Sequence, residues 1–174
     1  LLRNLGESLS SSIWLAVGLS SSPSFKEYLD MELKYTEILV KKYEPDYYGI
    51  FVEPSTMQKR IGSEFTLEQW ASLVEAVSER VKSISSSTRT SVSLMVSEGL
   101  VGLNALLNTS IDIVAFNIYS RWAAERVGPL LDAIVGSGKE AWIWETWWSA
   151  QKDPRTGEVY TWFRDCYWQP VIAK

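Results

Sequence analysis

Five short apolar runs, separated by longer stretches of helical periodicity, most constrain what this chain can fold into. The runs are Ile13–Leu19, Tyr47–Val52, Ser91–Val96, Ile111–Ile118 and one that begins at Ala141. Each is long enough for one buried strand and too short for a typical helix. Between them lie the helical stretches Phe25–Tyr43, Leu67–Ser83, Leu100–Leu107 and Trp122–Val135. Strand and helix in regular alternation imply right-handed βαβ units and a parallel sheet, not strands gathered into a sandwich. The expected class is α/β, built as βα repeats over residues 1–174 in one domain, with no inter-domain linker.

Local signals support the boundaries. Glu44-Pro45-Asp46 stops the first helix, because the residue before a proline is pushed out of helical geometry. Thr66 is a suitable N-cap for the helix that starts at Leu67. Gly136-Ser137-Gly138 closes the helix that starts at Trp122. A loop is expected from Glu53 to Phe65, and a polar loop over Gln151–Gly157. Glu158–Lys174 reads as a last helix, disturbed by Pro170.

Composition removes several function classes. The chain is 46% hydrophobic with a net charge of -4, and it has no basic cluster, so nucleic acid is not an expected partner. No apolar run approaches the roughly 18–20 residues of a membrane span, so no membrane association is expected. The start, Leu1-Leu2-Arg3-Asn4, has no charged-then-apolar targeting pattern and no initiator Met, as an internal start would. There is one cysteine, Cys166, and no histidine. Cys/His zinc sites and His-dependent nucleophilic triads therefore cannot form within the chain. Acid–base work near neutral pH falls to carboxylates, Tyr, Lys or Cys.

In a parallel α/β barrel, the strand C-termini share one face, and that face carries the chemistry. The residues at those ends are Glu53, Glu98, Asn117, Tyr119, Glu145, Trp147 and Trp148. Three of the five runs finish at a glutamate. The stretch Ala141-Trp142-Ile143-Trp144-Glu145-Thr146-Trp147-Trp148-Ser149 adds aromatic faces around one of them. Paired carboxylates without histidine suit glycoside hydrolysis, in which one carboxyl protonates the leaving oxygen and the other attacks the anomeric carbon or activates water. Trp142 and Trp144 fall within the strand and suit the core. Trp147 and Trp148 lie beyond it, where an indole can stack on a sugar.

Glu53-Pro54 after one strand, and Glu145-Thr146-Trp147-Trp148-Ser149 three strands later, resemble clan A of the glycoside hydrolases. Those enzymes are (β/α)8, or TIM, barrels with the acid/base Glu ending the fourth strand and the nucleophile Glu ending the seventh. The resemblance implies that Glu53 is the acid/base, Glu145 the nucleophile, and Tyr119 a tyrosine that hydrogen-bonds the nucleophile. It implies sugar contacts from Trp147, Trp148, Asn117 and Glu98, and an oligo- or polysaccharide substrate. This two-carboxylate chemistry needs no cofactor and no metal. One position departs from the pattern: many clan members carry Asn just before the acid/base Glu, and here that residue is Val52.

By the clan register the chain runs from about the second helix to the seventh. A full barrel takes about 250 residues, so the expectation is part of a barrel whose remainder is a partner. Two other readings stay open at this point. One is a non-catalytic carbohydrate-binding or structural relative of the same barrel. The other is a metal-dependent barrel with Glu53, Glu98 and Glu145 as oxygen ligands for a hard cation.

Overall fold

The structure, a computed structural model, describes residues 22–146. In chain order it contains α1 (Phe25–Tyr43), β1 (Tyr47–Val52), α2 (Pro54–Ile61), α3 (Leu67–Ile84), β2 (Arg89–Met95), α4 (Val96–Leu107), β3 (Ile113–Ile118), α5 (Arg121–Gly136) and β4 (Glu140–Thr146). The expected strand Ile13–Leu19, the expected helix Glu158–Lys174, and the residues Trp147 and Trp148 lie outside the described residues. No helix among the described residues is long and apolar enough to cross a membrane.

The helices begin where side chains can satisfy their first amides. At α1 the Ser24 hydroxyl accepts from the Glu27 N–H, while the Glu27 carboxylate accepts from the Ser24 N–H. Thr66 and Gln69 make the same reciprocal pair at α3. Such a pair settles two of the four amides a helix start leaves without partners. Helix α1 ends at Glu44, in the left-handed region with φ 44°, immediately before Pro45.

Helix α2 occupies a segment expected to be loop. Its signals are nonetheless local: Pro54 at the first position and Gly62, with φ 70°, just past the end. That proline–glycine asymmetry marks a helix of only 8 residues, too short for hydrophobic periodicity to reveal. Helix α4 also begins four residues before its expected start, because Glu98 caps it from within. Strand β2 accordingly ends at Met95 rather than Val96.

The four strands are all parallel, and their order in the sheet, β1-β2-β3-β4, is the chain order. Parallel crossovers are right-handed. With no reversal of strand order, every crossover helix returns over the same face. That face holds the core: Phe51 packs edge-on against Trp70 of α3, ring centroids 5.0 Å apart. Strand β3 is buried at every position, as a strand flanked on both sides and covered on its faces must be. Helix α4 approaches it at Gly99, where a Cβ would meet the Phe116 ring at 2.5 Å.

The other face is concave. Residues paired in parallel register share a face, so Ser91, Ser93, Ala115 and Asn117 all point there. Their small side chains leave a trough that aromatics from the outer strands cross. Tyr47 of β1 and Trp142 of β4 have ring centroids 5.1 Å apart. Trp144 of β4 reaches the backbone of β1, where a Cβ on Gly49 would lie 3.1 Å from its ring. Three flat strand spacings would set β1 and β4 about 14 Å apart. Contact between them therefore requires the sheet to curl, and Gly49 is the residue that admits the indole.

At the opposite end from the helix-forming strand exits, Asp112 ties the strand starts together. Its carboxylate accepts from the Thr90 N–H at 2.8 Å, the Thr90 hydroxyl at 3.0 Å and the Lys82 ammonium at 3.1 Å. Its carbonyl accepts from the Glu140 N–H. This explains why β3 starts at Ile113 and not at the expected Ile111. Burial alone would raise the Asp112 carboxyl, but the Thr90 donors and Lys82 outweigh it and hold it below the usual range.

Two predictions follow from the packing. Gly99→Ala is expected to destabilise the fold by about 1–3 kcal/mol, because the methyl must displace a buried ring; urea unfolding measures it. Asp112→Asn should cost about 1–3 kcal/mol near neutral pH. The increment is present above the unfolded-state pKa near 3.8 and is lost as pH falls through the lowered folded value. The gap between the wild-type and variant unfolding curves should therefore close in acid; a constant gap would contradict the assignment.

Candidate functional site

The concave face collects polar side chains at the C-terminal ends of β1, β3 and β4. Glu53 is the first residue after β1, and its N–H still joins the ladder by donating to the Ser93 carbonyl at 2.7 Å. Regular alternation would turn its side chain toward the helices, since Val52 shares a face with Ser93. Instead Glu53 has φ 51° and ψ 92°, a conformation rare for a residue with a Cβ. The backbone turn brings the carboxylate inward, where the residue is only 8% exposed. Strain of this kind costs about 1–3 kcal/mol and concentrates at functional sites.

The Glu53 carboxylate is held at both oxygens. Oε1 accepts from the Asn117 side-chain amide at 2.8 Å, and Oε2 accepts from the Thr56 hydroxyl at 2.8 Å. Asn117 is itself oriented by the Ser93 hydroxyl, which donates to Oδ1 at 2.7 Å. Ser93 and Asn117 are both buried, so these bonds are shielded from water.

Glu145 reaches the same face by a different device. Along β4, Phe116 pairs with Ile143 but Asn117 pairs with Glu145, so Trp144 is an extra residue in the strand. Without that bulge, the alternation that points Trp142 inward would point Glu145 toward α5. With it, Glu145 lies beside Asn117. Bulges of this kind recur next to active sites because they re-aim one side chain.

Tyr119 completes the arrangement. It follows β3 two residues after Asn117, so it shares the concave face. Its hydroxyl donates to Glu145 Oε2 at 2.6 Å. Burial pushes the phenol well above its ordinary range. The hydrogen bond to Glu145, and the charge of Glu53 and Glu145 together, push it further the same way. The phenol thus stands between the two carboxylates and stays protonated at any physiological pH.

Of the residues expected at strand ends, the structure brings together Glu53, Asn117, Tyr119 and Glu145. Asn117 meets the Glu53 carboxylate directly, a contact that its reading as a sugar-binding residue did not include. Glu98 does not join them. Its Oε1 accepts from the Ser55 N–H at 2.8 Å and its Oε2 from the Met95 N–H at 2.7 Å. It caps α4 and anchors the start of α2 on the helix side of the sheet. A glutamate three residues into a helix was the available signal for that role. With Glu98 so engaged, the three-glutamate cation set does not assemble, and the described residues hold no cluster of three or more potential ligands. A cavity of about 520 Å³ lined by Phe51, Trp70, Leu94 and Glu98 also lies on the helix side, away from the paired glutamates. Ser93 and Thr56 escaped sequence reasoning. Ser93 carried one faint signal, a small polar residue inside a strand that is otherwise buried.

The sequence matches no family model, and no curated protein shows significant similarity to it.

Tyr119→Phe is expected to leave unchanged the phenolate absorbance that develops up to about pH 11, because Tyr119 ionises only above the ordinary tyrosine range. A smaller absorbance change in the variant would show that the phenol titrates normally and does not sit between two carboxylates.

Proposed function

We propose that this chain is part of a (β/α)8 barrel of the glycoside hydrolase type, and that it hydrolyses O-glycosidic bonds of an oligo- or polysaccharide with retention. The observation that carries the reading is the phenol of Tyr119 between Glu53 and Glu145 at the strand ends of one concave face. Sequential parallel strands, crossover helices on one side and a curled sheet support the barrel.

Each glutamate suits a different task. Glu145 is the nucleophile: the Tyr119 O–H donates to its Oε2, a contact that suits a carboxylate attacking as the anion. Glu53 is the acid/base. It protonates the glycosidic oxygen as Glu145 forms a bond to the anomeric carbon and the alcohol departs. Water then attacks the glycosyl-enzyme, Glu53 takes the water's proton, and Glu145 leaves. The Thr56 hydroxyl can donate or accept, so its contact with Glu53 survives both protonation states.

One observation favours a second reading, a non-catalytic relative that binds sugar. Val52, exposed at the end of β1, offers no hydrogen bond where the resemblance places a sugar-contacting Asn.

Hydrolysis of a panel of 4-nitrophenyl glycosides decides between the two. Glu145→Gln should lower turnover by about 10³-fold or more while sparing sugar binding measured by calorimetry. Azide should rescue Glu145→Ala to a glycosyl azide of inverted configuration, and Glu53→Ala to one of retained configuration. A wild-type protein that binds sugar and hydrolyses none of the panel is the non-catalytic relative; one that neither binds nor hydrolyses overturns both readings.

A further inference from the structure

We propose that Oε2 is the oxygen of Glu53 that gives up and takes back the proton, and that Asn117, Ser93 and Thr56 are positioning residues that make it so. The inference rests on the hydrolytic reading of Glu53 above. Oε1 already accepts the amide N–H of Asn117 at 2.8 Å. A proton on Oε1 would make it a poorer acceptor for that donor, which cannot itself turn acceptor, whereas the Thr56 hydroxyl at Oε2 can. Oε1 therefore remains an acceptor in both states of the carboxyl, and the proton resides on Oε2.

The Asn117 amide could in principle turn over, and the Ser93 hydroxyl, able to donate or accept, does not forbid it alone. The charge of Glu53 does. Once Glu53 has released its proton, a turned amide would set its carbonyl against a carboxylate oxygen in a buried site. The orientation with Nδ2 toward Glu53 and Ser93 donating to Oδ1 at 2.7 Å serves both states without movement. Asn117 is 1% exposed and Ser93 fully buried, so neither is replaced by water between steps.

Thr56 acts on the other oxygen. Its hydroxyl donates to one lone pair of Oε2 at 2.8 Å. On the hydrolytic reading the proton leaves Oε2 for the glycosidic oxygen, and Oε2 then receives the proton of the attacking water. Thr56 lies in the first turn of α2, whose start is pinned by Glu98 through the Ser55 N–H at 2.8 Å. The angle of proton delivery is thereby tied to the helix layer, and the left-handed turn at Glu53 brings the carboxyl between Asn117 and Thr56.

The test compares two leaving groups on the same sugar. A 2,4-dinitrophenolate departs without protonation, whereas an alkoxide needs it. In Ser93→Ala and in Thr56→Ala, kcat/KM for the methyl glycoside should fall about 10²-fold, the scale of a misplaced proton donor. The fall for the 2,4-dinitrophenyl glycoside should be at least about tenfold smaller. Ser93→Thr and Thr56→Ser, which keep the hydroxyl, should restore the wild-type ratio. Thr56 is half-buried, so its variants stay readable if the fully buried Ser93 site tolerates change poorly. An unchanged ratio of the two rates in both alanine variants overturns the assignment. A wild-type protein inactive on both glycosides overturns the hydrolytic reading, and this assignment with it.

Discussion

A strand shows only every second residue to each side of its sheet. That rule governs this molecule, because its site must be built on the concave face while its core is built on the other. Phe51 and Phe116 obey it by packing under α3 and α4. Ser93 and Asn117 obey it by facing the trough. The two glutamates do not. Glu53 comes inward through a left-handed backbone turn, and Glu145 through the extra residue Trp144. Both departures fall at strand ends, where the ladder is finishing and a distorted pairing costs least. A regular backbone with this sequence would bury two carboxylates under helices, where unpaired charge is very costly.

Much of the fold was legible because its signals are local. The alternation of apolar runs and helical stretches was enough for the class, and the helix starts expected at Phe25 and at Leu67, with Thr66 as its cap, match the structure. Helix α2 was not legible from periodicity, since two turns show no stripe. Its proline and glycine were the only cue. The convergence of Glu53, Tyr119 and Glu145 followed from placing them at strand ends. The means of convergence did not, because a bulge is a property of register, and register belongs to two strands at once. Asn117 shows the same limit from the other side. Its place at a strand end was readable, but its hydrogen bond to a residue 64 positions away was not. Glu98 was grouped with the others by position alone. Its spacing after Met95 already described a cap.

The concave face explains why so many aromatics sit in so short a span. Ser91, Ser93 and Ala115 cannot fill the space between β1 and β4. Trp142 and Trp144 span it by leaning across to Tyr47 and Gly49, and Trp144, expected in the core, stays 41% exposed. Indole is well suited to this, since it buries a large apolar surface at low conformational cost. Trp144 has two functions at once. As the extra residue in β4 it redirects Glu145, and as a side chain it reaches across the curl to β1. Loss of either function disturbs the other, so the shape of the sheet and the aim of Glu145 are linked through one residue.

The same economy holds for charge. Two carboxylates facing one phenol repel each other, and burial strengthens that repulsion. Neutral donors meet both groups: the Asn117 amide and Thr56 hydroxyl on Glu53, and the Tyr119 hydroxyl on Glu145. The hydrolysis proposed above needs one carboxyl to carry a proton while the other is ionised, and a hydroxyl such as that of Thr56 can donate or accept and so serves either state. The raised phenol of Tyr119 belongs to the same scheme. A tyrosine that stays protonated between two carboxylates remains a donor throughout.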